Sequence, residues 1–329
     1  MTSTETTGEA FARLSDPFRR ELLVHCYRML GSIHEAEDVL QETLLRAWRS
    51  FDSFDPGRAS LRTWLYRIAT NACITALGQR RLRPLPSGLA GAAEHATVTL
   101  ERDSDIPWLQ PVPEFLLPRP VDPAAATVLR GSVRLALIAA LQYLPARQRA
   151  VLILRDVLDW PAAEVAALLE TSPAAVNSAL QRARAQIAQS APAQHDVTEP
   201  DDPGRRALLD RYVRAFEHAD VDGLARLLSE DVKFEMPPFR TWFSGRSTVV
   251  GFVATHLFAT AGLWRLLPTA ANGAPAVATY LRKPDGLHHP HSVQVLSITG
   301  DSISRVVSFQ DVSLFPTFDL PPSRGAHTP

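Results

Sequence analysis

The sequence predicts a multidomain fold: two all-α helical domains followed by an α+β domain with a curved antiparallel sheet. Residues 11–83 and 127–190 carry apolar residues at helical spacing. Residues 205–319 instead show helical segments followed by alternating strand-like segments. A proline-rich, aperiodic stretch at 84–126 separates the helical domains and is predicted to be a linker. At 329 residues, the chain is long enough for more than one core.

The composition is that of a soluble globular protein, with 46% hydrophobic and 21% charged residues. Because the net charge is −1, any nucleic-acid contact must come from local patches. Cys26 and Cys73 lie in apolar helical patterns, so we expect reduced core thiols and neither a disulfide nor a metal site. The polar N-terminus and the lack of a long apolar run predict a cytoplasmic protein with no membrane partner. No cofactor or metal motif is recognised.

Residues 158–184 predict a helix-turn-helix. The first short helix covers about Pro161 to Leu169, and Ser172 and Pro173 suit the N-cap and first position of a second helix. A polar, cationic second helix of this kind enters the DNA major groove. A helical hairpin with a solvated face fits the same residues. The outward positions of the second helix include Asn177, Ser178, Gln181, Arg182 and Arg184.

Two earlier helices also carry distinctive faces. The helix from His34 to Trp48 has an acidic outer face, which suits a basic partner or a solvated surface. A helix from Leu61 to about Gln79 interleaves arginines with aromatic residues. This pattern suits a platform that stacks unpaired bases and tracks phosphates, although its aromatics could equally be packing residues.

These motifs, in this order, resemble the extracytoplasmic function (ECF) sigma factors of the sigma-70 family. His34–Thr43 is similar to region 2.2, Phe51–Asn71 to regions 2.3 and 2.4, and Leu144–Arg184 to region 4. The resemblance implies a subunit that binds RNA polymerase core, through the β′ and β subunits, and directs promoter recognition and transcription initiation. It places region 2 at 11–83 and region 4 at 127–190.

The resemblance also implies roles for individual residues. Asp38, Gln41 and Glu42 would bind the polymerase core at the β′ clamp helices. Pro161 departs from the family pattern, which often has a capping Ser or Thr there. The −10 element would contact Arg58, Arg62, Trp64, Arg67 and Asn71. The −35 element would contact Ser172, Ala174, Asn177, Ser178, Gln181, Arg182 and Arg184.

The C-terminal part resembles SnoaL-like domains, at 205–319, on Trp242 and on the segments Asp231–Pro238, Gly245–Arg246 and Ser308–Pro316. The fusion implies a regulatory domain that modulates sigma activity through an intramolecular contact with the sigma domains, with the apolar linker residues Trp108 and Leu109 as one route. We expect no enzymatic activity. The alternatives are a sigma-like DNA-binding protein whose SnoaL-like domain binds or converts a small ligand, and a plain helix-turn-helix repressor. Acid/base candidates for an enzyme are Asp231, His256, Asp285, His288, His289 and His291.

Overall fold

The structure is a computed structural model that describes residues 7–78, 82–119, 122–190 and 203–325. The chain divides into two compact units. The first unit comprises Met1–Leu82 and Phe115–Ala193, and the second comprises Arg83–Glu114 and Gln194–Pro329. Both units are therefore assembled from two separate stretches of chain, and each is described by itself.

The first unit is all helical, as predicted, and has two lobes joined by packing of α2 and α4 against α6 and α7. Helices α1–α4 form the first lobe and α5–α9 the second. The helices are α1 (Thr7–Ser15), α2 (Arg19–Leu30), α3 (Ile33–Arg49), α4 (Leu61–Gly78), α5 (Pro123–Val133), α6 (Leu135–Gln142), α7 (Ala146–Leu152), α8 (Ala162–Leu168) and α9 (Pro173–Ser190), with a π-helical turn at Ile153–Val157.

The break between α2 and α3 lies at the Gly31-Ser32 pair. Gly31 takes the left-handed conformation (φ 71°), and its N–H donates to the carbonyl of Tyr27. The Ser32 hydroxyl then accepts from the N–H of Glu35 and caps α3. A glycine C-cap followed by a serine N-cap therefore turns the chain sharply, and α3 packs back on α2.

A buried arginine joins the two lobes. Arg149 of α7 is 4% exposed and donates to the carbonyl oxygen of Met29 at the end of α2. Its other hydrogen bonds go to the side-chain and main-chain oxygens of Gln142, both at 2.8 Å, and to the carbonyl of Leu144 at 3.1 Å. Burial lowers the pKa of Arg149 to about 10, so the guanidinium remains charged at neutral pH.

The two cysteines meet in the core of the first lobe. Cys26 of α2 and Cys73 of α4 are fully buried free thiols that are hydrogen-bonded to each other. Burial is the largest cause that raises the pKa of Cys73 well above its ordinary value. Buried protonated thiols of this kind match the expectation from sequence.

The second unit combines a six-stranded sheet with helices, and its strands lie in the order β2-β1-β6-β5-β4-β3. The predicted antiparallel sheet needs one correction: β1 pairs with β6 in parallel, so the sheet is mixed. The elements are α10 (Pro203–Glu217), α11 (Val221–Leu227), β1 (Leu228–Glu235), β2 (Trp242–Ser244), α12 (Arg246–His256), β3 (Trp264–Ala271), β4 (Ala274–Arg282), β5 (His288–Thr299), β6 (Ser302–Phe309) and α13 (Leu314–Thr317).

One apolar cluster forms the core of this unit. It contains residues of α10, α11 and α12 together with inward-facing residues of the sheet, including Phe234, Val277 and Leu296. A hairpin at Gly300-Asp301 joins β5 to β6, where Thr299 pairs with Ser302. The fold class predicted for the C-terminal part is confirmed, with the mixed sheet as its one difference.

The stretch predicted as a linker differs most from expectation. Its residues 83–114, called the strap below, belong to the second unit. Ala93 donates to the carbonyl of Trp242 at 2.8 Å, Val112 donates to Asn272 Oδ1 at 2.9 Å, and Leu109 is fully buried. The backbone N–H and C=O groups of the strap find hydrogen-bond partners on the sheet and in the strap's own turns. The strap is therefore held in place without forming a long helix or strand, and its apolar residues show no regular spacing.

Residues near the two ends of the strap are hydrogen-bonded to each other. The Leu109 N–H donates to the carbonyl of Pro84 at 3.3 Å, and Arg83 donates to the carbonyl of Trp108 at 3.0 Å. Buried Glu235 accepts from the Ser87 N–H at 2.9 Å and pairs with Arg305. The strap is thus a closed loop that is fixed to the sheet at several points.

No single helix in the described ranges has the length and apolarity that spanning a membrane requires. Helices α5 and α6 meet that criterion only when taken together, and they are bent by 52° relative to each other.

The first unit should lose stability as the pH falls below about 6.5. Burial, with smaller contributions from Arg28 and Arg62, lowers the pKa of His25 to about 3, so the folded state keeps this imidazole neutral. The unfolded chain binds a proton near pH 6.5, and the difference lowers the free energy of unfolding by about 1.4 kcal/mol per pH unit between those two values. We expect His25→Gln to flatten this slope in urea unfolding followed by helical circular dichroism.

The matched control is His95→Gln, which changes an exposed histidine of the strap and should leave the slope as in the parent chain. Equal slopes for the parent and His25→Gln would contradict a neutral buried His25.

Candidate polymerase and nucleic-acid interfaces

The predicted helix-turn-helix is formed by α8 and α9. Val165 and Leu168 of α8 and Val176 and Leu180 of α9 are buried where the two helices pack. Glu170 makes the turn with a left-handed backbone (φ 54°). The Ser172 hydroxyl accepts from the N–H of Ala175 at 3.2 Å, which confirms the predicted cap. Pro161 precedes α8 without a side-chain cap, as expected.

The residues predicted to contact the −35 element are all exposed on α9 or at its cap. Asn177 and Gln181 lie one turn apart and make no hydrogen bond within the described chain, so their amides are free for a partner. Arg184 instead bonds Asp156 through Nε at 2.9 Å and Nη2 at 2.7 Å. The exposed positions are Ser172, Ala174, Asn177, Ser178, Gln181, Arg182 and Arg184.

The residues predicted for the −10 element divide into two groups. Trp64, Arg67 and Asn71 follow one another at helical spacing on α4, where Arg67 and Asn71 are exposed. The Trp64 ring packs on Phe54 of the preceding loop, with ring centroids 5.1 Å apart. Arg58 is exposed in the same loop. Together these side chains present cationic, polar and aromatic groups to solvent.

Arg62 lies apart from that group. Its guanidinium bonds both carboxylate oxygens of Glu21, at 2.8–3.0 Å, and these hydrogen bonds are the largest cause that raises its pKa. It also lies over the rings of Tyr66 and Trp160, 5.0 and 5.7 Å from their centroids. Trp160 comes from the second lobe and packs on Tyr66 at 5.2 Å. In this arrangement the second lobe covers part of the predicted −10 helix.

The residues predicted to bind the core lie on one exposed face of α3. Asp38, Gln41 and Glu42 are all exposed. Glu42 pairs with Arg46 one turn later, at 2.6 Å. The sequence analysis missed Leu45 and Trp48, which continue the same face and are 43% and 48% exposed. Their spacing from Asp38 and Gln41 is the signal that could have found them, since exposed large apolar side chains mark interaction surfaces.

The interior of the second unit contains polar side chains that satisfy one another. Tyr212 donates to Gln294 Oε1 at 2.8 Å, and the hydroxyls of Thr279 and Ser292 are 2.7 Å apart. Ser308 bonds Ser292 at 3.0 Å. All five side chains are buried, so these polar groups form a hydrogen-bonded network inside the second unit.

The proposed acid/base candidates have local contacts. His256 packs on Phe252, and His291 packs on Trp264 with its pKa lowered to about 4, mainly by burial. His288 lies 3.2 Å from the carbonyl of Gly262, and half-buried His289 pairs with Asp285 at 2.7 Å. Asp231 accepts from the neighbouring Ser229 hydroxyl at 2.8 Å. No cluster of metal-ligating side chains occurs among the described residues.

Three family models match the chain. Sigma-70 region 2 matches residues 14–83, sigma-70 region 4 matches residues 134–187, and a SnoaL-like domain matches residues 209–306. The matches fall on the first lobe, on the second lobe with its helix-turn-helix, and on the sheet-containing unit.

Several characterised proteins are similar to this chain. The ECF RNA polymerase sigma factor SigG of Mycobacterium tuberculosis is 48% identical over 95% of this chain and 84% of its own length. SigW of Bacillus subtilis is 31% identical over 54% of this chain and 86% of its own length. The crystal structure of M. tuberculosis SigJ shares the fold, with a TM-score of 0.60 and 23% identity over 94% of this chain and all of that chain. By its identity to SigG and by the order of its domains, this chain belongs to the ECF RNA polymerase sigma factors.

Proposed function

We propose that this sigma factor binds the polymerase core through the exposed face of α3 and reads promoters through α4 and α9. The single observation that carries the core assignment is the continuous exposed face Asp38–Gln41–Glu42–Leu45–Trp48. Acidic and amide groups beside two apolar side chains suit a basic coiled-coil partner such as the β′ clamp helices. Apolar anchors contribute most of the affinity of an interface, and charges steer the encounter.

For the promoter, we assign −10 contacts to Arg58, Trp64, Arg67 and Asn71, with Arg62 joining them after the second lobe moves away. Exposed Asn177 and Gln181 can read adenine edges in the major groove, and Arg182 can bind guanine or phosphate. Region 2 then corresponds to 11–83 and region 4 to 127–190. Of the predicted linker 84–126, only the part between the strap and α5 then serves as a linker.

The packing of the two lobes describes a closed form of the first unit. Trp160 covers Tyr66 and Arg62, and Arg149 inserts at the end of α2. Reading −10 and −35 elements at once requires the two lobes to separate along the DNA. The closed form is therefore the resting form, and binding to polymerase exchanges these contacts for contacts with core and promoter.

We infer that the SnoaL-like domain regulates this opening through the strap. An extended chain spans about 3.3–3.6 Å per residue, so a free strap would reach on the order of 100 Å between the lobes. Closing Pro84 onto Leu109 removes most of that reach. The fusion of this domain to sigma-70 regions and the hydrogen bonds that attach the strap to its sheet favour regulation over catalysis for this domain.

Removing the apolar anchors of α3 should weaken core binding. We expect Trp48→Ala, alone or with Leu45→Ala, to raise the Kd for core polymerase at least tenfold, because both side chains would lose an apolar partner surface. Biolayer interferometry with immobilised core enzyme measures this.

The control for these variants is Leu14→Ala, which removes a side chain of similar exposure (45%) from α1. It should leave the Kd unchanged. If Trp48→Ala binds core as tightly as the parent chain does, the α3 face is not the docking surface.

Asn177→Ala and Gln181→Ala should each reduce discrimination of the −35 element by about 1–3 kcal/mol, which corresponds to roughly five- to 150-fold, because a bidentate amide–adenine contact has that value. Promoters selected by the reconstituted holoenzyme, with substitutions across the −35 element, provide the substrates for run-off transcription. Gln189→Ala, exposed two turns further along α9, is the control. Unchanged base preference in both test variants would exclude α9 as the −35 reader.

Releasing the strap should raise run-off transcription by the full-length protein. Leu109→Asp places a charge at a fully buried strap position and should detach that part of the strap. Val98→Asp introduces the same charge at an exposed strap position and should have no effect. Circular dichroism and thermal unfolding check that both variants fold, and unchanged or lower transcription by folded Leu109→Asp would contradict strap control.

A further inference from the structure

A cavity of about 280 Å³ lies within the first unit, where the two lobes meet. Its walls come from α2 and α4 of the first lobe, and from α5 and the end of the π-helical turn of the second lobe. The volume is near the lower end of the roughly 300–1,000 Å³ that small-molecule pockets occupy. Most lining side chains are apolar: Val24, Ala125, Val128, Leu129, Val157 and Leu158.

Arg28 supplies an uncompensated charge to this apolar cavity. It is 2% exposed and donates one hydrogen bond, to the Ser132 hydroxyl at 2.6 Å. Its buried Nε has no partner. Burial lowers the pKa of Arg28 to about 10, opposed by the neighbouring Tyr66 phenol, so the guanidinium is still charged at neutral pH.

No carboxylate of the described chain neutralises Arg28. Glu21 also lines the cavity, but both of its oxygens accept hydrogen bonds from Arg62. His25 stays neutral, because burial lowers its pKa to about 3. A buried cation without a paired anion is unfavourable, and a bound anion would relieve that penalty.

We propose that this cavity binds a small amphiphilic carboxylate, whose carboxylate pairs with Arg28 and whose apolar chain fills the space between the lobes. The apolar walls select against a free phosphate, which would need several further donors to replace its hydration. Because both lobes line the cavity, the ligand binds the closed form in preference to the open form and shifts the population toward it. The resulting fall in promoter-dependent transcription rests on the proposed function, whereas the binding itself does not.

Isothermal titration of the full-length protein with sodium octanoate tests the site. We expect saturable binding of one octanoate per chain, with 1-octanol and octylammonium binding at least tenfold more weakly because they lack the anion. Hydrogen exchange should show octanoate protecting the amides of α5, a wall of the cavity.

Two variants separate the contributions of charge and shape. Arg28→Gln should weaken octanoate binding at least tenfold, and Arg28→Lys should restore part of it. Val128→Trp should also weaken binding by filling the cavity from a position that is 55% exposed, where a larger side chain is tolerated in the fold. Arg147→Gln, at an exposed arginine outside the cavity, should bind octanoate like the parent chain.

Absence of saturable binding, equal binding of 1-octanol, or full binding by folded Val128→Trp would each overturn the proposal. The core-binding assay is read separately from these titrations. A protein that binds octanoate at Arg28 but never binds core would refute the proposed function and leave the site intact, and the reverse result would refute the site alone.

Discussion

The insertion of the Arg149 guanidinium at the C-terminal end of α2 is the interaction on which the first unit depends. The last carbonyls of a helix have no partner within the helix, and the helix dipole favours a cation there. The Arg149 guanidinium is a cation at this helix end and donates a hydrogen bond to the carbonyl of Met29. It also donates to the side-chain oxygen of Gln142, which fixes its position. Gly31 completes the joint, because a Cβ at this position would lie 2.9 Å from the Gln142 side chain and its φ of 71° disfavours other residues.

The chemistry of this joint is compatible with the proposed opening of the two lobes. Arg28, Arg149 and neutral His25 are polar groups buried between or beside the lobes, and none of them is paired with a carboxylate. Apolar residues of similar volume at the same positions would hold the lobes together more strongly. When the lobes separate, water can replace the hydrogen bonds that these side chains make to carbonyl groups. Such contacts suit the proposed exchange of lobe contacts for contacts with polymerase.

Features with a local cause were predictable from the sequence. The cap residues Ser32 and Ser172 act on amides three positions away, and the burial of Val176 and Leu180 follows from helical period. The strap and the parallel pairing of β1 with β6 were not predictable, because their partners lie far away in the chain. The same holds for Trp160, whose contacts with Arg62 and Tyr66 depend on how two helical lobes pack.

The proposed division of promoter reading between two lobes is consistent with the small size of each surface. On α9, two free amides and a few neighbouring polar groups can reach base edges, and such a contact set gives weak binding by itself. In the proposed function, the α4 face binds unpaired bases, which a free sigma factor meets rarely. Specificity then arises when polymerase fixes the distance between the lobes, because two weak contacts held at the right spacing act at high effective concentration. Under the proposed regulation, the strap acts on this same distance, so the SnoaL-like domain would influence promoter use through the spacing of the two lobes.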